Sequence, residues 1–139
     1  MNYLLDTCVI SELIASRPNP RVVDWVQAAS EEQLYLSVIT IGELQKGIAK
    51  LPVSRRRQTL VNWLRDDLLI RFKGRLIALD VPALLAWGNL AAEVERTGRK
   101  MSAMDSLIAA SAKHGGLTLV TRNVTDFAAA GLPILNPWE

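Results

Sequence analysis

The 139-residue chain holds one cysteine, Cys8, and one histidine, His114. A single cysteine makes no intramolecular disulfide and no thiolate zinc cluster, and a single histidine excludes any site that needs two imidazoles. Aromatic residues make up only 6% of the chain, and the four tryptophans are scattered, so nothing supplies the long aromatic groove common in sugar sites. No run approaches the roughly 18 uninterrupted apolar residues of a membrane span. The opening MNYLLDTCVISEL has no basic start and carries Asp6 inside its apolar stretch, which argues against a secretory signal. GxGxxG after the first strand and GxxxxGK[ST] anywhere are both missing, which removes the usual marks of dinucleotide and P-loop folds. These absences lead us to expect a soluble protein of a reducing cytoplasm, with no membrane partner.

What is present suits one compact domain over residues 1–139: half the residues are hydrophobic and 22% are charged, enough to fill one core. The net charge of +2 hides a polarity. Residues 51–75 carry seven Arg/Lys against two acids, whereas residues 1–50 carry four basic and six acidic residues. A basic stretch beside an acidic site suits a phosphate-bearing polymer, although a solvated helix face explains the charge run by itself.

Short apolar runs alternate with helical spacing. Asn2 to Leu5, Leu34 to Leu36, Leu76 to Leu79, Leu117 to Val120 and Ile134-Leu135 read as strands. Helices are expected after each of the first three, with Ser37 as a cap, Pro82 in a first turn, a helix from Val53 to about Leu69, and a further helix from Ser102 to Lys113, closed by Gly115-Gly116, before the fourth. Continuous apolar strands separated by helices indicate an α/β fold: a central parallel sheet between two helical layers.

In such a sheet ligands collect beyond the carboxyl ends of the strands, and the polar residues that fall there are Asp6, Glu43, Asp105, Asn123 and Asp126. Each of the four acids has an ordinary alternative. Asp6 could cap a helix through the amides of Cys8 and Val9, and Glu43 could be a solvated glutamate beside the open space at Gly47. Asp105 fits the S-x-x-D form of a capping box with Ser102, and Asp126 could be a loop or cap residue. Together they make a cluster of carboxylates, which repel one another unless a cation or raised pKa values relieve them. With oxygen ligands only, the cation indicated is Mg²⁺ or Mn²⁺. Such an ion lowers the pKa of a bound water and neutralises charge growing on a phosphoryl group, so phosphodiester hydrolysis is the natural chemistry.

The strings LLDTCVISEL (4–13), SVITIGELQKG (37–47), MSAMDSLIAASAKHGGLTLVTRNVTDF (101–127) and NPWE (136–139), in this order and spacing, resemble PIN-domain ribonucleases of the VapC/FitB type. The resemblance implies a three-layer α/β/α fold, usually as a homodimer. It implies Asp6, Glu43 and Asp105 around Mg²⁺ or Mn²⁺, Thr7 supporting the site or a phosphate, and either Asn123 or Asp126 in a fourth position. Arg99, Lys100 and Arg122, with the cationic 51–75 stretch, would engage an RNA backbone. The implied activity is that of a metal-dependent endoribonuclease toxin cutting tRNA or other structured RNA. A cognate antitoxin would restrain it, and operator DNA would be reached only through that antitoxin. The same fold and acids would also suit a DNA nuclease, or a catalytically silent partner in a DNA-bound complex. Surplus apolar residues after the first two strands (Ile10, Leu13, Ile14, Ile39, Ile41) are expected to form the dimer contact.

Overall fold

The computed structural model describes all 139 residues. In chain order the elements are β1 (Tyr3–Leu5), α1 (Thr7–Leu13), α2 (Pro20–Ala28), β2 (Leu34–Ser37), α3 (Val38–Ala49), α4 (Arg55–Trp63), α5 (Leu69–Arg71), β3 (Leu76–Ile77), α6 (Val81–Arg96), α7 (Ala103–His114), β4 (Thr118–Val120), α8 (Val124–Phe127) and β5 (Ile134–Leu135). The five strands form one parallel sheet in the order β3-β2-β1-β4-β5. From β1 the chain steps outward through β2 and β3, then returns to the other side of β1 with β4 and β5. The order therefore reverses between β1 and β4, which opens a crevice at their carboxyl ends.

Alternation along the strands divides the core between the two faces of the sheet. Leu5, Leu36 and Val120 join Val9, Val22, Leu44, Leu64, Leu68 and Phe72 in one cluster, under α1 to α5. Leu4 and Leu119 join Leu90, Val94, Ile108, Ala109 and Phe127 in the other, under α6, α7 and α8. The three-layer α/β/α arrangement is therefore as expected. No helix is long and apolar enough to cross a membrane.

Local chemistry sets the element ends. Ser37 Oγ accepts from the Ile39 amide at 3.0 Å, and Asp80 Oδ1 accepts from the Ala83 amide at 3.0 Å with Pro82 in the first turn. Gly116, at φ 67°, makes the left-handed step that stops α7 and lets Leu117 enter the sheet side of the core.

Three expectations are corrected. Strand β3 stops at Ile77 instead of Leu79, because its neighbour β2 gives up its last partner, Ser37, before turning into α3. The helix expected from Val53 to Leu69 starts at Arg55 and reaches Arg71 through a π turn at Leu64–Leu68. The wider turn keeps Leu64, Leu68 and Phe72, each four residues apart, on the buried side. Finally, the apolar surplus after β1 and β2 is mostly used inside the molecule. Ile10 is buried, Leu13 and Ile41 pack on the first cluster and Ile39 packs on the second, which leaves only Ile14 outside both. Beside scattered exposed residues such as Val38, Ile70 and Met104, a run of uncovered apolar side chains lies on α6, at Val81, Leu84 and Leu85.

Candidate functional site

The crevice between β1 and β4 begins at Asp6, the residue directly after β1. Its amide continues the sheet by donating to the Val120 carbonyl at 2.9 Å, which leaves the side chain only 4% exposed. Asp6 does cap α1, but through the Thr7 amide (2.9 Å to Oδ1) instead of the amides of Cys8 and Val9. The Val9 amide goes to the Asp6 carbonyl at 3.0 Å, so the carboxylate is free to turn across the crevice. There Oδ2 accepts from Thr121 Oγ1 at 2.8 Å and, weakly, from Cys8 Sγ at 3.6 Å.

Glu43 comes from the second turn of α3 and is tied back to the same helix start. Thr7 Oγ1 donates to Glu43 Oε1 at 2.6 Å. Having one proton and giving it to Glu43, Thr7 accepts from the Thr40 hydroxyl at 2.9 Å. Thr7 is thus an internal brace for Glu43, and its hydroxyl is engaged within the site. Asp105 stands in the first turn of α7, where Ser102 Oγ accepts from the Asp105 amide at 3.1 Å. That is the Ser102 half of a capping box. No bond runs from the Asp105 carboxylate back to the Ser102 amide, so the carboxylate remains available to the crevice. The start of α7 is braced further by Trp87, whose Nε1 donates to Ser106 Oγ at 2.9 Å.

Charge links these acids. Burial raises the Asp6 carboxyl above its ordinary value of 3.8; hydrogen bonds from Thr121 and the Thr7 amide pull it down, and the negative charge of Asp105 pushes it up again. Asp105 is raised as well, first by burial, with a Ser102 hydrogen bond opposing and the charges of Asp126 and Glu43 adding to the rise. Asp126, in α8, therefore belongs to the same electrostatic group as Asp6, Glu43 and Asp105. Asn123 is exposed beside it. Its amide donates to Thr121 Oγ1 at 3.0 Å, and its side chain makes no cap bond. Burial also pushes up the Cys8 thiol, which keeps it protonated and a poor nucleophile.

The donor set is all oxygen and anionic, which suits a hard divalent cation. No three of these side chains already enclose one point at coordination distance. The fit therefore rests on charge and donor type: four acids repel one another around a crevice, and hydroxyls fix two of them, Thr121 on Asp6 and Thr7 on Glu43. Sequence reasoning missed Thr40 and Thr121. Thr40 shares a face with Glu43 three residues on, and Thr121 follows β4 as Asp6 follows β1; both signals were readable once the strand order was known.

The basic residues divide. Arg122 is exposed and lies between Thr121, which bonds Asp6, and Asn123. Arg99 and Lys100 line a separate cleft with Trp87, Met101 and Ser106 on the α6 side of α7, which none of the crevice acids enters. Within 51–75, Arg71 pairs with Glu31, and Arg75 donates to the carbonyls of Glu31, Leu34 and Arg71. Those two arginines are structural. Arg55, Arg56, Arg57 and Arg65 make no ion pair.

A parallel sheet between helical layers, with a carboxylate-lined crevice where the strand order reverses, defines the class of protein. The family model described as "PIN domain" matches residues 3–131, and the chain belongs to that family. It is 40% identical over 136 residues to VapC ribonuclease Y4jK of Sinorhizobium fredii (98% of this chain, 97% of the relative) and 38% identical to Toxin FitB of Neisseria gonorrhoeae (98% of each). Among solved structures, FitAB bound to an IR36 DNA fragment superposes with a TM-score of 0.94 at 35% identity, covering 99% of this chain and 96% of that one.

Proposed function

We propose that this chain is an endoribonuclease dependent on Mg²⁺, or alternatively Mn²⁺, that acts as the toxin of a toxin–antitoxin pair and hydrolyses phosphodiester bonds in tRNA or other structured RNA. The observation that carries the reading is buried Asp6 at the β1/β4 switch, electrostatically coupled to Asp105, which in turn feels Glu43 and Asp126. Relatives named ribonuclease and toxin, aligned over nearly the whole chain, support it.

Asp6 and Asp105 would hold the ion, with Glu43 completing its surroundings or orienting the attacking water. When bound, the ion supplies Lewis acidity at the scissile phosphate. Thr7 and Thr40 fix the Glu43 carboxylate, and Thr121 fixes that of Asp6. Asn123 and Asp126 supply further polar groups at the crevice rim to position water, and Arg122 offsets the negative field that an incoming phosphate meets.

A small antitoxin protein is the partner that fits an acidic crevice needing restraint; a basic side chain placed among the acids would neutralise them. Operator DNA would be contacted through that partner, as the FitAB–DNA complex suggests by analogy. We place a homodimer contact on α6, where Val81, Leu84 and Leu85 are 70%, 42% and 67% exposed, with Gly88 one turn further along. The test is cleavage of RNA by antitoxin-free protein with Mg²⁺, with Mn²⁺ and with chelator, alongside a matched DNA. Metal-dependent cutting of RNA alone is expected. Uncut RNA in both metals would overturn the reading in favour of a silent binding partner, and equal cutting of DNA would overturn the RNA assignment.

A further inference from the structure

The C-terminal NPWE segment has no part in the chemistry above, yet it is anchored to α1 and touches Arg122, the residue after Thr121. Trp138 packs half-buried on the first core cluster. Its indole N–H donates to Glu12 Oε1 on α1 at 3.0 Å, while Glu12 Oε2 accepts from the Asn19 amide at 3.3 Å. The Trp138 amide donates to Asn136 Oδ1 at 2.9 Å. Backbone and ring are thus both anchored. The Arg122 guanidinium carbon lies 5.7 Å from the centroid of that ring. Arg122 is exposed, joins neither of the chain's two ion pairs, and donates no side-chain hydrogen bond within the chain. Its backbone is held on both sides: the Thr121 amide donates to the Leu135 carbonyl at 3.0 Å, and the Asn123 amide to Thr121 Oγ1.

An unpaired guanidinium lying over an indole, next to the residue that holds Asp6, has a physical use. Four clustered carboxylates repel a polyanion, so a cation standing beside them favours entry of a strand. A free arginine side chain spreads its charge over many rotamers, and an aromatic platform narrows them while leaving the N–H donors exposed. We propose that Trp138, itself fixed by Glu12, is a positioning residue that holds Arg122 at the lip of the acidic crevice, where the guanidinium takes a backbone phosphate of the RNA strand beside the bond to be cut. This rests on the nuclease reading above.

The test measures binding of a single-stranded RNA oligomer as a function of salt, with every variant made in an Asp105→Asn background. Binding is then read whether or not the wild-type chain cuts RNA; cleavage by wild type is scored separately and reports on the nuclease reading alone. Loss of one phosphate contact lowers the slope of log affinity against log salt by about 0.7. Arg122→Ala and Trp138→Leu should each lower it by that amount, should each weaken binding about three- to tenfold, and should do no more when combined. Trp138→Phe, which keeps a ring under the guanidinium, should retain most of the slope. Arg122→Lys keeps the charge and loses the flat contact, so it should bind about as weakly as Trp138→Leu, and it gives a reading even if the leucine variant fails to fold. Wild-type affinity in Arg122→Lys, an additive loss in the double variant, or absence of salt-dependent RNA binding would each overturn the proposal. A purely structural Trp138 would lower the melting temperature and leave the salt slope unchanged.

Discussion

Asp105 carries two roles that substitutions can separate. Its amide belongs to the helix cap made by Ser102, and its carboxylate belongs to the crevice. Asp105→Asn leaves the amide in place and removes one of four mutually repelling charges, so the metal-free protein should melt at the same temperature or higher while RNA cleavage is lost. Ser102→Ala removes the cap acceptor and should cost about 1 kcal/mol of stability while most cleavage survives. Melting curves and cleavage rates on the two proteins check this crossed pattern, and wild-type cleavage by folded Asp105→Asn would remove that residue from the site. The same acids set a pH dependence. Because Asp6 and Asp105 titrate above the ordinary 3.8 when folded, the folded state binds their protons more tightly than the unfolded chain does. The stability they contribute is therefore fully present below 3.8 and is lost as pH rises through their raised folded values. Thermal melts of metal-free protein should show this decline above pH 3.8, and Asp6→Asn should flatten part of it. Glu31, lowered by Arg71, works in the opposite direction, but it is so exposed that solvent screening leaves it little weight.

Among the elements, the cationic stretch from α4 to β3 looks uniform in sequence and is divided in space. Arg75 lies 4.8 Å from the Phe72 ring centroid and donates to three carbonyls, so it ties α5 to the segment that leads into β2. Arg75→Ala should cost about 1–2 kcal/mol and leave RNA affinity nearly unchanged, because charge-assisted bonds to backbone are what it loses. Arg56→Ala should do the reverse, with stability unchanged and the salt dependence of RNA binding reduced. Chemical denaturation and RNA titration on both variants separate structural from substrate-facing arginines. Helix α6 presents a different kind of surface. Its stripe Val81–Leu84–Leu85 follows the i, i+3, i+4 spacing of a buried helix face, with nothing from the chain to cover it. Leu85→Lys should turn a dimer into a monomer in light scattering while the melting temperature of the monomer fold stays within a few degrees. A wild-type monomer at micromolar concentration would remove the contact from α6.

At the scale of the whole molecule, sequence and structure divide by the range of the forces involved. Strand positions, helix starts and caps were legible because each depends on residues within about one turn: Ser37 before α3, Asp80 with Pro82 before α6, and Gly116 after α7. The oxygen-only character of the site was legible too, since one cysteine and one histidine leave nothing else. The spacing of the acids beyond strand ends, together with the family strings, indicated which carboxylates to bring together. Local pattern could not supply the order β3-β2-β1-β4-β5, which places Thr121 against Asp6 across 115 residues. Nor could it assign Thr7 to Glu43 instead of to a ligand, because that bond depends on how α3 docks on α1. The apolar excess was visible in composition, but which of it would be buried depended on packing: Ile10, Leu13, Ile39 and Ile41 met neighbours, whereas Val81, Leu84 and Leu85 did not. The sequence by itself determined the layers, the caps and the donor types open to the site, since propensity, capping and side-chain type are properties of near neighbours. Only the tertiary structure decided which hydroxyl holds which carboxylate, which arginines are free and which face is left uncovered, because those depend on contacts between segments that the chain separates by tens of residues.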